Sequence, residues 1–272
     1  KFVDKVIERC TGTSYPAINS TDLSNIEISL PSIQEQTKIA DFLFVIDKKI
    51  YGLKEKKRLL EIYKKGLMQK IFSQTLRFKD SDGKDFPTWA NKKLGDIAEV
   101  KRGAASHQLK YIEDKNQGVR LLRINDFLGN APVYIQDSEE IKKLRVCTND
   151  LLIAGTGATA GIVFIVPSEF NNFAFSYNAP RIRVTGAHYG FIYYYLQSDI
   201  HLQKQKGLFV GNAQHFLDTD TMRNFIINIP ILPEQVKIFN FLLAIDEKII
   251  HTQSQIEKTE FYKRGLLQKM LC

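Results

Sequence analysis

The sequence predicts a mixed α/β domain combined with two long helices that form an antiparallel coiled coil. Three observations predict this fold class: a segment that occurs twice, apolar residues at heptad spacing in both copies, and short strand-like runs between the copies. We expect four regions along the chain. They are residues 1–33, a first long helix at 34–75, an α/β domain at 76–232 and a second long helix at 233–272.

The repeated segment aligns residues 22–72 with residues 221–271, without a gap, at a shift of 199 positions. Roughly 20 of about 50 aligned residues are identical, and both copies end in Lys-x-Gly-Leu-x-Gln-Lys. In each copy a strand-like run, at 26–30 and at 225–229, leads into a proline, which cannot continue the hydrogen bonding of a sheet. A long helix is expected to follow.

Each helix has its own start signal. Ser32 and Glu35 have the spacing of a capping box, and Pro233 suits a first helical turn. Apolar residues then advance in alternating steps of four and three, which is typical of a coiled-coil seam. A surface helix on its own domain is the alternative, but two matched seams favour pairing with each other. The seam positions are Ile39, Leu43, Ile46, Ile50, Leu53, Lys57, Leu60, Lys64, Leu67 and Ile71, and their repeats Ile238, Leu242, Ile245, Ile249, Thr252, Ile256, Thr259, Lys263, Leu266 and Met270.

The region between the helices has a different pattern, with short apolar runs separated by Gly, Asn and Asp. We predict strands at 121–124, 151–154, 161–166 and 181–184, and a helix at 188–202. This pattern indicates a mixed α/β domain with a substantial sheet.

Composition and charge favour a globular protein with an acidic partner. Hydrophobic residues make up 44% and charged residues 25% of the chain, the net charge is +8 and the pI is about 9.2. A basic protein of this kind favours a nucleic acid as its partner. The three cysteines are scattered and the five histidines lack metal-ligand spacing, so we expect neither a zinc site nor disulfides. Because there is also no membrane span or signal peptide pattern, we expect a cytoplasmic protein.

Several stretches together resemble one known family. They are LRFKDSDGKDFPTW, KKLGDIAEVKRG, GVRLLRINDF, DLLIAGTGATAGIVFIV and GNAQHFLDTDTMRNFIINIPILPEQ, with GTSYPAINSTDLSNIEISLPSIQEQ as the first copy of the last one. The chain resembles the specificity subunit of a type I restriction–modification enzyme, from the tail of a first target-recognition domain to the second conserved helix. The sequence departs from the family pattern because most of a first recognition domain is missing before residue 33.

The resemblance implies a non-catalytic protein that binds one half of a split target in double-stranded DNA. The helices would set the gap between two recognition domains and dock two methyltransferase (modification) subunits, which nuclease–translocase (restriction) subunits then join. S-adenosylmethionine, ATP and Mg²⁺ would be cofactors of those partners, and this chain would carry none. If the chain is truncated, self-association could supply a second recognition domain.

Candidate DNA-binding residues lie between the two helices. Arg and Lys hold phosphates, while Arg to guanine and Asn to adenine are the side chains that distinguish base edges. Arg181 and Arg183 alternate along a strand and should share one face. The candidates are Lys101, Arg102, His107, Lys110, Arg120, Arg123, Asn125, Thr156, Thr159, Tyr177, Asn178, Arg181, Asn212 and His215.

The resemblance places candidate partner-binding residues on the two helices, although solvation and coiled-coil flanking charges also explain many of the charged ones. They are Lys57, Arg58, Tyr63, Lys64, Gln69, Tyr262, Lys263 and Gln268.

Two other functions remain open at the level of sequence. One is a coiled-coil assembly protein that binds no DNA, and the other is a DNA-modifying enzyme. The enzyme has little support, because Gly155–Gly161 lacks the Gly-Lys-Ser/Thr of a phosphate loop and Ser176–Pro180 lacks the second proline and the aromatic residue of an adenine-methyltransferase motif.

Overall fold

The computed structural model describes residues 2–12, 15–28, 30–129, 131–155, 160–206 and 218–271. The chain forms two compact units. Lys1–Glu61 with Glu247–Cys272 is called the helical unit, and Ile62–Asp246 is called the central unit. Across the described residues, no helix is long and apolar enough to cross a membrane.

Two 40-residue helices, α3 (Ile33–Phe72) and α9 (Leu232–Leu271), each contribute to both units. Both begin as their start signals predict. The Ser32 Oγ accepts a hydrogen bond from the Glu35 amide at 3.3 Å, and Pro233 lies in the first turn of α9. The short helices α1 (Phe2–Glu8) and α2 (Ser20–Ser24) precede them in the helical unit.

Within the helical unit, α3 and α9 pair in antiparallel fashion. The Lys263 ammonium contacts both carboxylate oxygens of Asp47 at 2.5 and 2.7 Å, and Lys54 reaches Glu260 at 2.7 Å. Residue numbers therefore rise along one helix as they fall along the other. Every predicted seam position of the two helices is buried or half-buried, so the coiled coil is confirmed.

The same charge pair occurs again within the central unit. There the Lys64 ammonium contacts the Asp246 carboxylate at 2.6 and 2.8 Å. Asp246 is the repeat of Asp47, and Lys263 is the repeat of Lys64. The two pairs therefore join the same two repeat positions, with the lysine and the aspartate exchanged between the helices.

The described residues of the central unit form three sheets. Strand β1 (Ala90–Lys93) pairs antiparallel with β10 (Ile226–Ile229). One four-stranded sheet has the order β2-β9-β6-β7, and the other has the order β3-β5-β4-β8 with a parallel β4–β8 pair. The remaining strands are β2 (Ala98–Lys101), β3 (Tyr111–Ile112), β4 (Gly118–Leu122), β5 (Val133–Gln136), β6 (Leu151–Ile153), β7 (Val163–Ile165), β8 (Ala174–Phe175) and β9 (Arg181–Val184).

The short α-helices in the described part of the central unit are α4 (Leu94–Ile97), α5 (Glu139–Lys142), α6 (Tyr189–Leu196), α7 (Asp199–Lys206) and α8 (Thr219–Arg223). Helix α6 packs against the first turns of α9. An added Cβ at Gly190 would lie 2.1 Å from the Phe239 ring, so only glycine allows the two helices this close.

The start of α9 is also held by a buried polar cluster. Glu234 has no exposed side-chain surface, and its carboxylate accepts hydrogen bonds from Arg77 Nε and Nη2, both at 2.8 Å, and from Trp89 Nε1 at 3.2 Å. Hydrogen bonding to Glu234 raises the pKa of the Arg77 guanidinium. These contacts join the segment before β1 to the second long helix.

Two predicted elements were wrong in detail. The described part of 26–30 forms no strand, whereas its repeat is β10. The reason is that β10 has β1 to pair with, and no described strand lies beside residues 26–28. The helix predicted at 188–202 is two helices, because Ser198 accepts the His201 amide at 3.3 Å and caps α7.

Candidate nucleic-acid interface

The floor of the candidate site is a close contact between the chain after β2 and the chain after β8. The Ala104 amide donates to the Phe175 carbonyl at 2.8 Å, and the Tyr177 amide donates to the Ala104 carbonyl at 2.9 Å. A Cβ on Gly103 would lie 2.1 Å from the Phe175 oxygen. Glycine is therefore required where these two segments meet.

A cleft of about 330 Å³ opens above this floor. Four of the predicted DNA-binding residues line it: Arg123, Asn125, Tyr177 and Asn178. Asn125, Tyr177 and Asn178 expose their side chains, whereas Arg123 is half-buried. The cleft thus combines two amides, an aromatic ring and a guanidinium, which are the groups that bind base edges and bases.

Arg102 lies beside the cleft through its contact with Tyr177. The guanidinium carbon stacks 4.5 Å from the ring centre, and Nη1 donates to the Tyr177 carbonyl at 3.4 Å. This contact holds both side chains in a fixed orientation. The pair presents a positive charge and a flat aromatic surface next to one another.

One wall of the cleft has a fixed positive charge. The buried Asp126 carboxylate accepts hydrogen bonds from the Arg123 amide at 2.8 Å and from its Nε at 3.0 Å, and Arg120 lies 3.6 Å away. Arg120 also stacks over the Phe170 ring at 4.8 Å. Two guanidiniums share one carboxylate, so this group keeps one net positive charge.

Arg181 and Arg183 make contacts inside the protein. Both reach the buried Asp150: Arg183 through Nε at 2.9 Å and Nη2 at 2.8 Å, and Arg181 at 4.0 Å. They therefore share one face of β9, as predicted. Arg181 is 4% exposed and also bonds to Glu99, and burial lowers its pKa. In this structure its guanidinium is not accessible to a ligand, so its predicted DNA contact receives no support.

The other predicted DNA-binding residues lie at different places. Lys101 is half-buried and its Nζ donates to the Lys143 carbonyl at 3.4 Å, while His107 and Lys110 are exposed just before β3. Four candidates lie outside the described residues: Thr156, Thr159, Asn212 and His215.

The predicted partner-binding residues divide into three groups. Lys64 and Lys263 form the paired contacts with aspartate and so belong to the coiled coil. Lys57 is half-buried and lies 3.6 Å from Glu61. The remaining members are exposed: Arg58, Tyr63, Gln69, Tyr262 and Gln268.

A family profile matches most of the chain. The profile of the type I restriction modification DNA specificity domain covers residues 2–63 and 87–259. The chain belongs to this family.

Two relatives of the specificity-domain chain come from Methanocaldococcus jannaschii. The type I restriction enzyme MjaVIII specificity subunit is 25% identical over 288 residues, which cover 96% of this chain and 64% of that protein. The MjaIX specificity subunit is 27% identical over 282 residues, which cover 96% and 63%. The chain thus spans less than two thirds of the length of these curated relatives.

Solved structures share the fold of this specificity-domain chain. The S subunit of a type I restriction–modification system from M. genitalium matches with a TM-score of 0.58 at 15% identity, over 97% of this chain and 68% of that one. A structure described as the basis of complex assembly and conformational transition of the type I system matches with a TM-score of 0.63 at 19% identity, over 99% and 66%.

Sequence reasoning missed three cleft residues of this specificity domain that carry polar groups: Ser106, Tyr111 and Ser176. Tyr111 is 64% exposed and immediately follows Lys110, so an exposed aromatic beside a lysine was an available signal. Ser176 lies in the segment considered as a methyltransferase motif. Its place in the cleft depends on the β4–β8 pairing, which no local pattern predicts.

Proposed function

We propose that this chain is a DNA-specificity subunit that recognises one half of a split target in double-stranded DNA. The observation that carries the proposal is the cleft, which gathers four of the predicted contact residues from separate segments of a chain in the DNA specificity domain family. Asn125 and Asn178 come from distant segments, yet both present an amide to the same space.

The cleft residues have separate roles in this proposal. Asn125 and Asn178 bind base edges, since a side-chain amide can pair with the N6 and N7 of adenine. Arg102 and Tyr177 form a stacked surface against a base or sugar. Exposed His107 and Lys110 hold phosphates, which makes the affinity depend on salt without adding sequence information.

The chemistry of modification and cleavage belongs to partner subunits in this proposal. Methyltransferase (modification) subunits would bind the long helices, and nuclease–translocase (restriction) subunits would join them in the cytoplasm. S-adenosylmethionine, ATP and Mg²⁺ would be bound by those partners. The relatives support this division, because each is called a specificity subunit.

The test is to coexpress the chain with its cognate modification subunit and to map methyladenine across the host genome. Methylation at a defined motif is the expected result. A palindromic split motif would mean that two copies of this chain each supply one recognition domain. A motif with two unlike halves would mean that a second, different recognition domain takes part. The alternatives predict different results. An assembly protein would co-purify without directing methylation, and an enzyme would methylate DNA without the partner.

A further inference from the structure

The guanidinium of Arg123 lines the cleft, but its nitrogens are engaged by the protein itself. Nε donates to Asp126 Oδ2 at 3.0 Å, and Nη2 donates to the Ala131 carbonyl at 2.9 Å. The side chain is 33% exposed. Arginine binds guanine through two neighbouring nitrogens at once, so such a contact requires Arg123 to release at least one of these acceptors.

A second arginine lies beside the same carboxylate with its hydrogen bonding incomplete. The Arg120 Nη2 is 3.6 Å from Asp126 Oδ1, which is longer than a hydrogen bond of about 2.9 Å. Its Nε is buried and has no hydrogen-bond partner within the described chain. The guanidinium stacks over the Phe170 and Phe173 rings at 4.8 and 5.6 Å. A movement of less than about 1 Å towards Asp126 would complete its hydrogen bond.

Asp126 is held in place by bonds that do not involve either guanidinium. The Arg123 amide donates to Asp126 Oδ2 at 2.8 Å, and the Asp126 amide donates to the Arg123 carbonyl at 3.0 Å. The Asp126 side chain has no exposed surface, and a buried carboxylate without a cationic partner is strongly unfavourable. Arg120 removes this penalty, because it can pair with Asp126 when the Arg123 side chain turns away.

We propose that Arg123 reads a guanine of the half-site and that Arg120 is the positioning residue that makes this contact possible. On DNA binding, the Arg123 guanidinium leaves Asp126 for O6 and N7 of a guanine in the major groove, and Arg120 takes over the carboxylate. This inference rests on the proposed function and adds a base preference to it. The wall keeps one net positive charge before and after the exchange.

Two simpler arrangements predict different behaviour. If Arg123 stays on Asp126 and contacts DNA from there, removal of the Arg120 guanidinium leaves the base preference unchanged. If Arg120 binds a phosphate itself, its removal weakens binding to all sequences alike and adds to the loss caused by Arg123→Ala.

The experiment measures DNA binding by fluorescence anisotropy, with the complex of the full chain and its cognate modification subunit. The probe is a duplex that carries the motif found by methyladenine mapping. In further duplexes 7-deazaguanine replaces one guanine at a time, which removes N7 and keeps the base pairing. The variants are Arg123→Ala, Arg120→Met, Arg120→Lys and the double variant of Arg123→Ala with Arg120→Met. Methionine keeps an apolar side chain against the phenylalanine rings. Lys115→Met is the matched control, because it removes an exposed positive charge outside the cleft.

We expect 7-deazaguanine at one position to weaken binding about tenfold for the original complex and for Lys115→Met. Arg123→Ala and Arg120→Met should each bind the unmodified duplex about tenfold to a hundredfold more weakly and lose the preference at that position. The double variant should bind no more weakly than either single variant. Arg120→Lys should restore most of the preference, since its ammonium can also pair with Asp126.

A guanine preference that persists in Arg120→Met overturns the exchange, and so does a further loss in the double variant. A half-site in which no guanine responds to 7-deazaguanine, or which contains no guanine, overturns the assignment of Arg123. If thermal denaturation shows that Arg120→Met does not fold, a crystal structure of Arg123→Ala decides. Arg120 Nη2 should then lie about 2.9 Å from Asp126, and an unchanged 3.6 Å overturns the proposal.

These outcomes are distinct from a failure of the proposed function. In each of them the coexpressed complex still methylates a defined motif, so the chain remains a specificity subunit and only the guanine contact is lost. A complex that binds no DNA and methylates no motif overturns the proposed function and this inference together.

Discussion

The buried cluster at the start of α9 gives the sharpest test of the fold. Glu234→Gln keeps the shape of the side chain but removes a charge that accepts three hydrogen bonds from Arg77 and Trp89. Breaking a buried ion pair costs about 3–5 kcal/mol. Arg77 keeps 24% side-chain exposure and a 2.8 Å bond to the Pro87 carbonyl, so we expect the lower end, about 3 kcal/mol.

Urea denaturation measures this loss. Trp89 is the only tryptophan of the sequence and lies in the cluster, so its fluorescence follows the central unit directly. With a urea m value of about 3 kcal/mol/M, the midpoint should fall by roughly 1 M. The slope should stay the same, because the substitution changes an interaction and not the surface exposed on unfolding.

The first copy of the repeat supplies the control. Glu35 is the repeat of Glu234, but its side chain is exposed. Glu35→Gln should therefore change the free energy of unfolding by no more than about 0.5 kcal/mol, measured by circular dichroism. Equal effects of the two substitutions, or a loss below about 1 kcal/mol for Glu234→Gln, would refute the stabilising role of the cluster.

The other predictions concern the cleft and the acid stability of the chain. Asn125→Ala should weaken binding to the cognate half-site by about tenfold to a hundredfold in fluorescence anisotropy, while Asn116→Ala, an exposed asparagine outside the cleft, should have no effect; equal losses would contradict the base-edge role. Gly103→Ala places a Cβ 2.1 Å from the Phe175 oxygen and should destabilise the chain by about 1–3 kcal/mol, so an unchanged Tm would be evidence against the close contact. Burial lowers the pKa of His201 from 6.5 to about 4. Between these two pH values the unfolded chain therefore binds more protons than the folded chain. The neutral His201 should contribute up to about 3 kcal/mol to the free energy of unfolding above pH 6.5, and this contribution should be lost as the pH falls towards 4. Unfolding measured at a series of pH values should show that the free energy of unfolding depends less on pH in His201→Leu.

The helices were predictable because their signals are local. Capping by Ser32, proline in the first turn of α9 and the heptad seam all depend on residues a few positions apart. The same holds for β6, β7 and β9, where apolar runs and turn residues lie next to one another. The strand predicted at 26–30 failed because a strand depends on a neighbour that its own residues do not specify.

The candidate site was predictable in residue type but not in arrangement. Alternation placed Arg181 and Arg183 on one face, yet the buried Asp150 that both reach lies more than 30 positions earlier in the chain. Asp126 similarly engages Arg120 and Arg123, which the sequence suggested only as DNA contacts. Carboxylates that neutralise arginines inside a fold have no periodic signature, so only the structure separates such arginines from exposed ones.

The two repeated lysine–aspartate pairs have a consequence for how this protein can change in evolution. Asp47 pairs with Lys263 and Lys64 pairs with Asp246, and each pair joins stretches of the gene that lie far apart. The spacing from Asp47 to Lys64 in α3 equals the spacing from Asp246 to Lys263 in α9. An insertion of one helical turn between Asp47 and Lys64 in α3 alone would leave at least one lysine opposite the wrong residue. The two helices can therefore lengthen only together. An insertion in α3 has to be matched by an equal insertion in α9 before a longer coiled coil can keep both pairs.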